Sequence, residues 1–240
     1  MRHVGIVGKK LLRLLLGFFV LALASAVIKQ ANIGLGPWDA LHDGISVQTP
    51  LTYGQASMAA GLVIVVIDFL CKERLGFGTL LNIFVIGALV DVILMSGLVP
   101  KLDGSLLPGC LYGLVGMVLM GVGIWLYISA GMGAGPRDSL MVILTRRTGV
   151  SVGICRAGVE GIALVLGWLL GGQIGVGTIL FTLAGGPIMQ LVFRIVKFDV
   201  KGIHHETFAD TIRFLKQGFA GEQPSAEEAA SHAGTAGSTH

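Results

Sequence analysis

Charge is scarce in this 240-residue chain: Asp, Glu, Lys and Arg make up 13% of it, against 53% hydrophobic residues and a mean hydropathy of +0.81. Soluble globular domains carry about a quarter charged residues, so the composition excludes that class and places the chain among polytopic membrane proteins. Cysteine is also scarce, with Cys71, Cys110 and Cys155 scattered singly. Neither a disulfide framework nor a paired-cysteine zinc site fits that spacing. The six histidines form no metal-ligand pattern, so neither metal nor cofactor is expected. The net charge of +3 comes from basic residues that mostly flank apolar stretches; it reports orientation in a lipid bilayer, and no nucleic-acid partner is expected.

Long apolar stretches are plentiful. They run over about residues 11–29, 54–71, 77–99, 109–131, 152–171 and 174–196, each near the roughly 20 residues that cross a bilayer as a helix. The sequence therefore predicts an all-α membrane protein with six transmembrane helices. Lys9, Lys10 and Arg13 lead into the first apolar stretch in the manner of a signal peptide. An internal copy of that stretch at 109–131 argues that it is retained.

The copy belongs to a repeat. Gly34-Leu35-Gly36-Pro37-Trp38-Asp39 returns as Gly133-Ala134-Gly135-Pro136-Arg137-Asp138, an offset of 99 residues, and Gly76-Phe77-Gly78-Thr79 returns as Gly175-Val176-Gly177-Thr178. Gly17, Gly54 and Gly87 recur as Gly116, Gly153 and Gly186, and residues 12–95 align with 111–194 without a gap. Common descent of the halves explains this better than shared composition does. Three spans per copy mean that the second copy enters the membrane from the other side, so the expected fold is two inverted three-helix repeats with broken or short helices after the GxGPxD motifs.

The expected organisation is a cytoplasmic N-terminus at 1–10, membrane repeat 1 at 11–99, an external loop at 100–108 and membrane repeat 2 at 109–197. A cytoplasmic amphipathic helix at 198–216 and a disordered tail at 217–240 follow. Arg2, Lys9, Lys10, Arg13, Lys72, Arg74, Arg137, Arg146, Arg147, Arg194, Lys197 and Lys201 all fall on one side if the N-terminus is inside, whereas Lys101 is the clear exception. The expected location is the cell (inner) membrane, multi-pass, with both termini cytoplasmic.

The GxGPxD segments carry the candidate chemistry. Proline suits the first position of a helix because it has no amide hydrogen to leave unpaired there, and each Asp then falls in the first turn. A helix restarting at such a break exposes free amides and a positive dipole end, which favour an anionic group. The alternative is a pair of surface turns. The copies differ where Trp38 becomes Arg137, His42 becomes Met141, Asp43 becomes Val142 and Gly61 becomes Glu160. Arg156 and Glu160, four apart, share one helix face and are expected to pair, as a solute site or as a clamp. Candidate solute-binding residues are accordingly Gly36, Trp38, Asp39, His42, Gly135, Arg137, Asp138, Arg156 and Glu160. Asp68 and Asp91 are carboxylates at membrane depth, read either as part of a pathway or proton relay or as meeting headgroup water near the span ends, and Asn82 is expected to bond across a helix interface. No nucleophile–base pair is visible, so no catalytic residue is assigned and the chain is not expected to be an enzyme.

These motifs, with Arg156 and Glu160, resemble those of the YitT/YczE family of bacterial integral membrane proteins, YczE-like in pattern, over about residues 10–197. The soluble C-terminal domain of many YitT-type members is missing, so no role tied to it carries over. The resemblance implies a membrane fold and supplies no substrate. The expected function is a small secondary transporter or permease for a small, possibly anionic, unidentified solute, with a homodimer possible for so small a chain. The competing expectation is a non-transporting membrane scaffold or accessory protein.

Overall fold

A computed structural model describes residues 2–71, 77–131 and 135–198, without the side chains of 2–7, 77, 136, 138, 139 and 142. The expected amphipathic helix and tail at 198–216 and 217–240 lie almost wholly outside the described residues. So do Lys72, Arg74, Gly76 and Gly133.

The described chain is helical: α1 (Arg2–Gln30), α2 (Pro37–Gln48), α3 (Tyr53–Leu70), α4 (Phe77–Ser96), α5 (Leu106–Ser129), α6 (Pro136–Thr148), α7 (Val152–Leu169) and α8 (Val176–Ile195). Six of these are long and apolar enough to cross a membrane: α1 from Gly8, α3, α4 from Gly78, α5, α7 and α8. The helix assigned to the first span starts well before residue 11, because the residues ahead of it continue α1 without a break. α2 and α6, at 12 and 13 residues, rise only about 18–20 Å and do not reach across a hydrocarbon core of about 30 Å.

Helix limits agree between the halves at the 99-residue offset. α3 and α7 match at both ends, α4 and α8 match at both ends, and α2 and α6 both start on their motif proline. Each short helix packs on the far half: α2 lies on α7 and α6 on α3. α1 and α5 cross closely at the centre, where Gly17 meets the backbone of Tyr127, Gly123 meets Leu21 and Gly116 meets Ile28. Small residues at such a crossing let two apolar helices approach closely, which in lipid is the main route to packing. Leu14, Phe18, Leu21, Tyr127 and Ala130 form the core beside it.

Gly34 holds a φ of +111° and stands directly against Gly175 and Thr178. A side chain there meets both a disfavoured conformation and an occupied space. The segment is tied down by hydrogen bonds from Leu35 N to Gln173 O (2.9 Å) and from Gly177 N to Ile33 O (2.8 Å). The Gly-x-Gly-Thr segment at 175–178 thus makes a close backbone approach to the other half's motif loop.

Candidate functional site

The sequence locally explains how α2 reaches the interior. Its motif proline and glycines end one helix and restart another, and Gly36 supplies no side chain to cap the first-turn amides. α6 begins in the same way at Gly135. Both N-termini border one cavity of about 560 Å³, walled by residues from all eight helices.

Of the nine candidate residues, Gly36, Trp38, Asp39, His42, Gly135, Arg137, Arg156 and Glu160 line this cavity. Asp138 belongs to α6, but its side chain lies outside the description. The guanidinium of Arg137 sits 4.6 Å over the Trp38 ring. Its Nη2 is 3.3 Å from Nε2 of His42, which is buried. A guanidinium only donates, so Nε2 accepts and the imidazole is neutral with its proton on Nδ1. Nδ1 lies 3.9 Å from Oδ1 of Asp39, and the Tyr53 hydroxyl donates to that oxygen at 2.8 Å. The result is a polar chain Arg137–His42–Asp39–Tyr53 along one wall.

A second polar group closes the adjoining end. Lys29 is ion-paired with the buried Asp43 and lies 5.2 Å from the Tyr53 ring centre. Asp43 also accepts from Gln173 N at 2.9 Å, and Gln173 hydrogen-bonds to Asn32, whose amide reaches Leu102 O at 3.1 Å. These contacts stitch the ends of α1, α2 and α7 to the loop before α5.

Arg156 and Glu160 pair as their spacing implies, Nε to Oε1 at 2.8 Å, with side chains 56% and 26% exposed. They border the cavity and are also satisfied by each other, so both readings of the pair meet in this geometry. Asp68 is fully buried, against the reading in which it meets headgroup water. Asp91 accepts from Gly54 N at 2.7 Å and from the Thr52 hydroxyl, so it caps α3 from α4. Asn82 lines the cavity. Among the described residues no cluster of His, Cys, Asp or Glu fits a metal ion, and the three cysteines are free.

Tyr53, Lys29 and Asp43 were not among the candidates. One signal was available for Tyr53: Thr52-x-x-Gln55 is a capping box, which fixes Tyr53 at the first position of α3 beside the motif loop. Lys29 and Asp43 are 14 residues apart and meet only because the loop turns α2 back on α1.

The sequence pattern of a family described as "Family of unknown function (DUF6198)" matches residues 8–194. An uncharacterized protein of Haemophilus influenzae (strain ATCC 51907 / DSM 11121 / KW20 / Rd) is 36% identical over 186 residues, 76% of this chain and 83% of that protein. The uncharacterized membrane protein YczE of Bacillus subtilis (strain 168) is 38% identical over 179 residues, 72% of this chain and 80% of YczE. The uncharacterized protein YyaS of the same strain is 26% identical over 183 residues, 76% of this chain and 91% of YyaS. No solved structure matches the chain.

Proposed function

The chain belongs to this family of unknown function, as a YczE-like multi-pass membrane protein, and from that premise we propose that it is a small secondary transporter or permease. The solute is small and carries an anionic group. The observation that carries the reading is the shared cavity, where Arg137 and the N-termini of two short helices converge from opposite halves of the chain. Helix N-termini and a guanidinium favour negative charge, and paired short helices in the two halves of a repeat are a pointer to a transporter site. The matched helix limits and the exchanged packing of α2 and α6 support two inverted repeats. Under this reading both termini are cytoplasmic and the chain catalyses no reaction.

The test is a thermal-shift panel of anionic and zwitterionic metabolites on the purified protein, followed by uptake of any hit into proteoliposomes. A bound solute at 100 times its Kd stabilises by about 2.7 kcal/mol. Stabilisation of the wild type that is lost in Arg137→Ala supports the site. Silence across the panel, with no uptake, overturns it. The mutual pairing of Arg156 and Glu160 favours a second reading, a scaffold in which that pair only clamps α7, and silence would leave that one standing.

A further inference from the structure

The two halves differ in conformation, and the difference falls on one pair of helices. In the first half α3 lies against α4. Gly54 and Gly87 are buried with each facing the other's backbone or its neighbours, a Cβ on Gly61 would stand 3.0 Å from Ile83, and Asp91 holds the start of α3 through Gly54 and Thr52. The same positions 99 residues on are Gly153, Gly186, Glu160, Thr182, Gln190 and Ser151. Among the described residues no atom lies within 4 Å of a Cβ placed on Gly153 or Gly186. Gly153 and Gln190 are exposed, Ser151 makes no side-chain cap, and Glu160 and Thr182 border the cavity. The contact made by α3 and α4 is therefore left unmade by α7 and α8, and Arg156 and Thr182, which line the cavity from these two helices, are exposed.

Two substitutions within the repeat account for which side stands open. Asp91 is a carboxylate accepting from an amide, a charge-assisted bond, whereas Gln190 in its place is neutral and makes a bond about half as strong. α8 also carries Gly185-Gly186-Pro187 where α4 has Ile86-Gly87-Ala88. Pro187 lies inside α8 and removes an intrahelical bond at the level of the cavity, which is where helices hinge.

We infer that α7 and α8 form a gate whose closed position is already drawn by α3 and α4. α7 and the part of α8 beyond Pro187 close on each other, and Gln190 latches the start of α7 at Ser151 and Gly153. This inference rests on the inverted-repeat transporter reading and adds which helices move and what holds them. Closure carries Arg156 to the place mirrored by Ser57, which lines the cavity. A guanidinium taken out of water there needs more than one partner, so Glu160 and the anionic group of the solute together favour the closed gate.

The test uses the full chain in lipid vesicles, with Cys71, Cys110 and Cys155 replaced by Ser and with Ser151→Cys and Gln190→Cys introduced. Oxidation by copper phenanthroline is read on a gel, and Asn32→Cys with Gln173→Cys, whose native side chains touch, is the control pair. Both pairs are expected to cross-link. Adding Gly186→Trp, which fills space open in the structure, should cut the first cross-link at least fivefold and spare the control. A Ser151/Gln190 pair that stays reduced while the control oxidises overturns the gate, as does one indifferent to the Trp. If neither pair oxidises, spin labels on Ala157→Cys and Gln190→Cys decide: two distance populations support the gate and a single long one overturns it. A gate that closes in a protein that takes up no solute would sink the transport reading alone.

Discussion

Arg137 stacks on Trp38, and the two residues occupy the same place in the two copies of the GxGPxD motif. Two copies of one position meet face to face only where the halves of the chain meet. The repeat has kept the backbone there and specialised the side chains, one becoming the aromatic platform and the other the cation it orients. Trp38 and His42 both contact the guanidinium at the cavity wall.

Replacing Arg137 by Lys should keep charge but lose the planar stack and the fork aimed at His42. Ligand-induced stabilisation should fall about tenfold in apparent affinity, and Arg137→Ala should remove it. Trp38→Phe, a weaker platform, should fall between wild type and Arg137→Lys, since such a contact is worth about 0.5–2 kcal/mol. Calorimetric titration of each variant with the solute found in the screen checks the order.

The Lys29–Asp43 pair is predicted to be structural. Asp43→Ala leaves a half-buried ammonium at the end of α1, and removing one member of such a pair costs about 3–5 kcal/mol. The double change Lys29→Met with Asp43→Leu should recover part of that loss. Denaturation in detergent, followed by urea or heat, ranks the three proteins. Equal loss in single and double variants would show that Gln173, and not Lys29, is the partner that matters.

Gly34→Ala should be among the most damaging single changes, because φ is +111° and Gly175 occupies the space. A loss above about 2 kcal/mol is expected. Gly153→Ala faces open space and should stay within about 0.5 kcal/mol of wild type in stability. The pair separates two glycines that the sequence presents as equally regular members of a repeat.

Arg156→Ala and Glu160→Ala should barely alter stability, by less than about 1 kcal/mol, since an exposed pair four residues apart on a helix contributes little. A marked drop in ligand affinity at unchanged melting temperature places the pair in the site. A marked drop in melting temperature with binding intact makes it a clamp.

Much of the fold was legible because lipid imposes length and polarity at once: six stretches of about 20 apolar residues leave few other structures open. The repeat located α3, α4, α7 and α8 in register with one another, and the motif prolines marked the first residues of α2 and α6. Contacts between distant segments were not legible. Asp91 was read as a pathway carboxylate or as one meeting water, yet it caps α3 from the next helix, because a cap supplied across a helix pair leaves no local pattern. The Trp38–Arg137 stack was equally hidden, since both residues were candidates by position while their meeting depends on how the halves close. The open space at Gly153 and Gly186 was not legible from those residues, because identical glycines serve a tight contact in one copy and none in the other.

The exchanged packing of the short helices has a consequence for how such a protein is put together. α2 finds its main partner in α7 and α6 finds one in α3, so neither half by itself can shield its own short helix from lipid. A chain cut within residues 100–105, between α4 and α5, should therefore yield two fragments that are each unstable alone and reassemble when co-expressed.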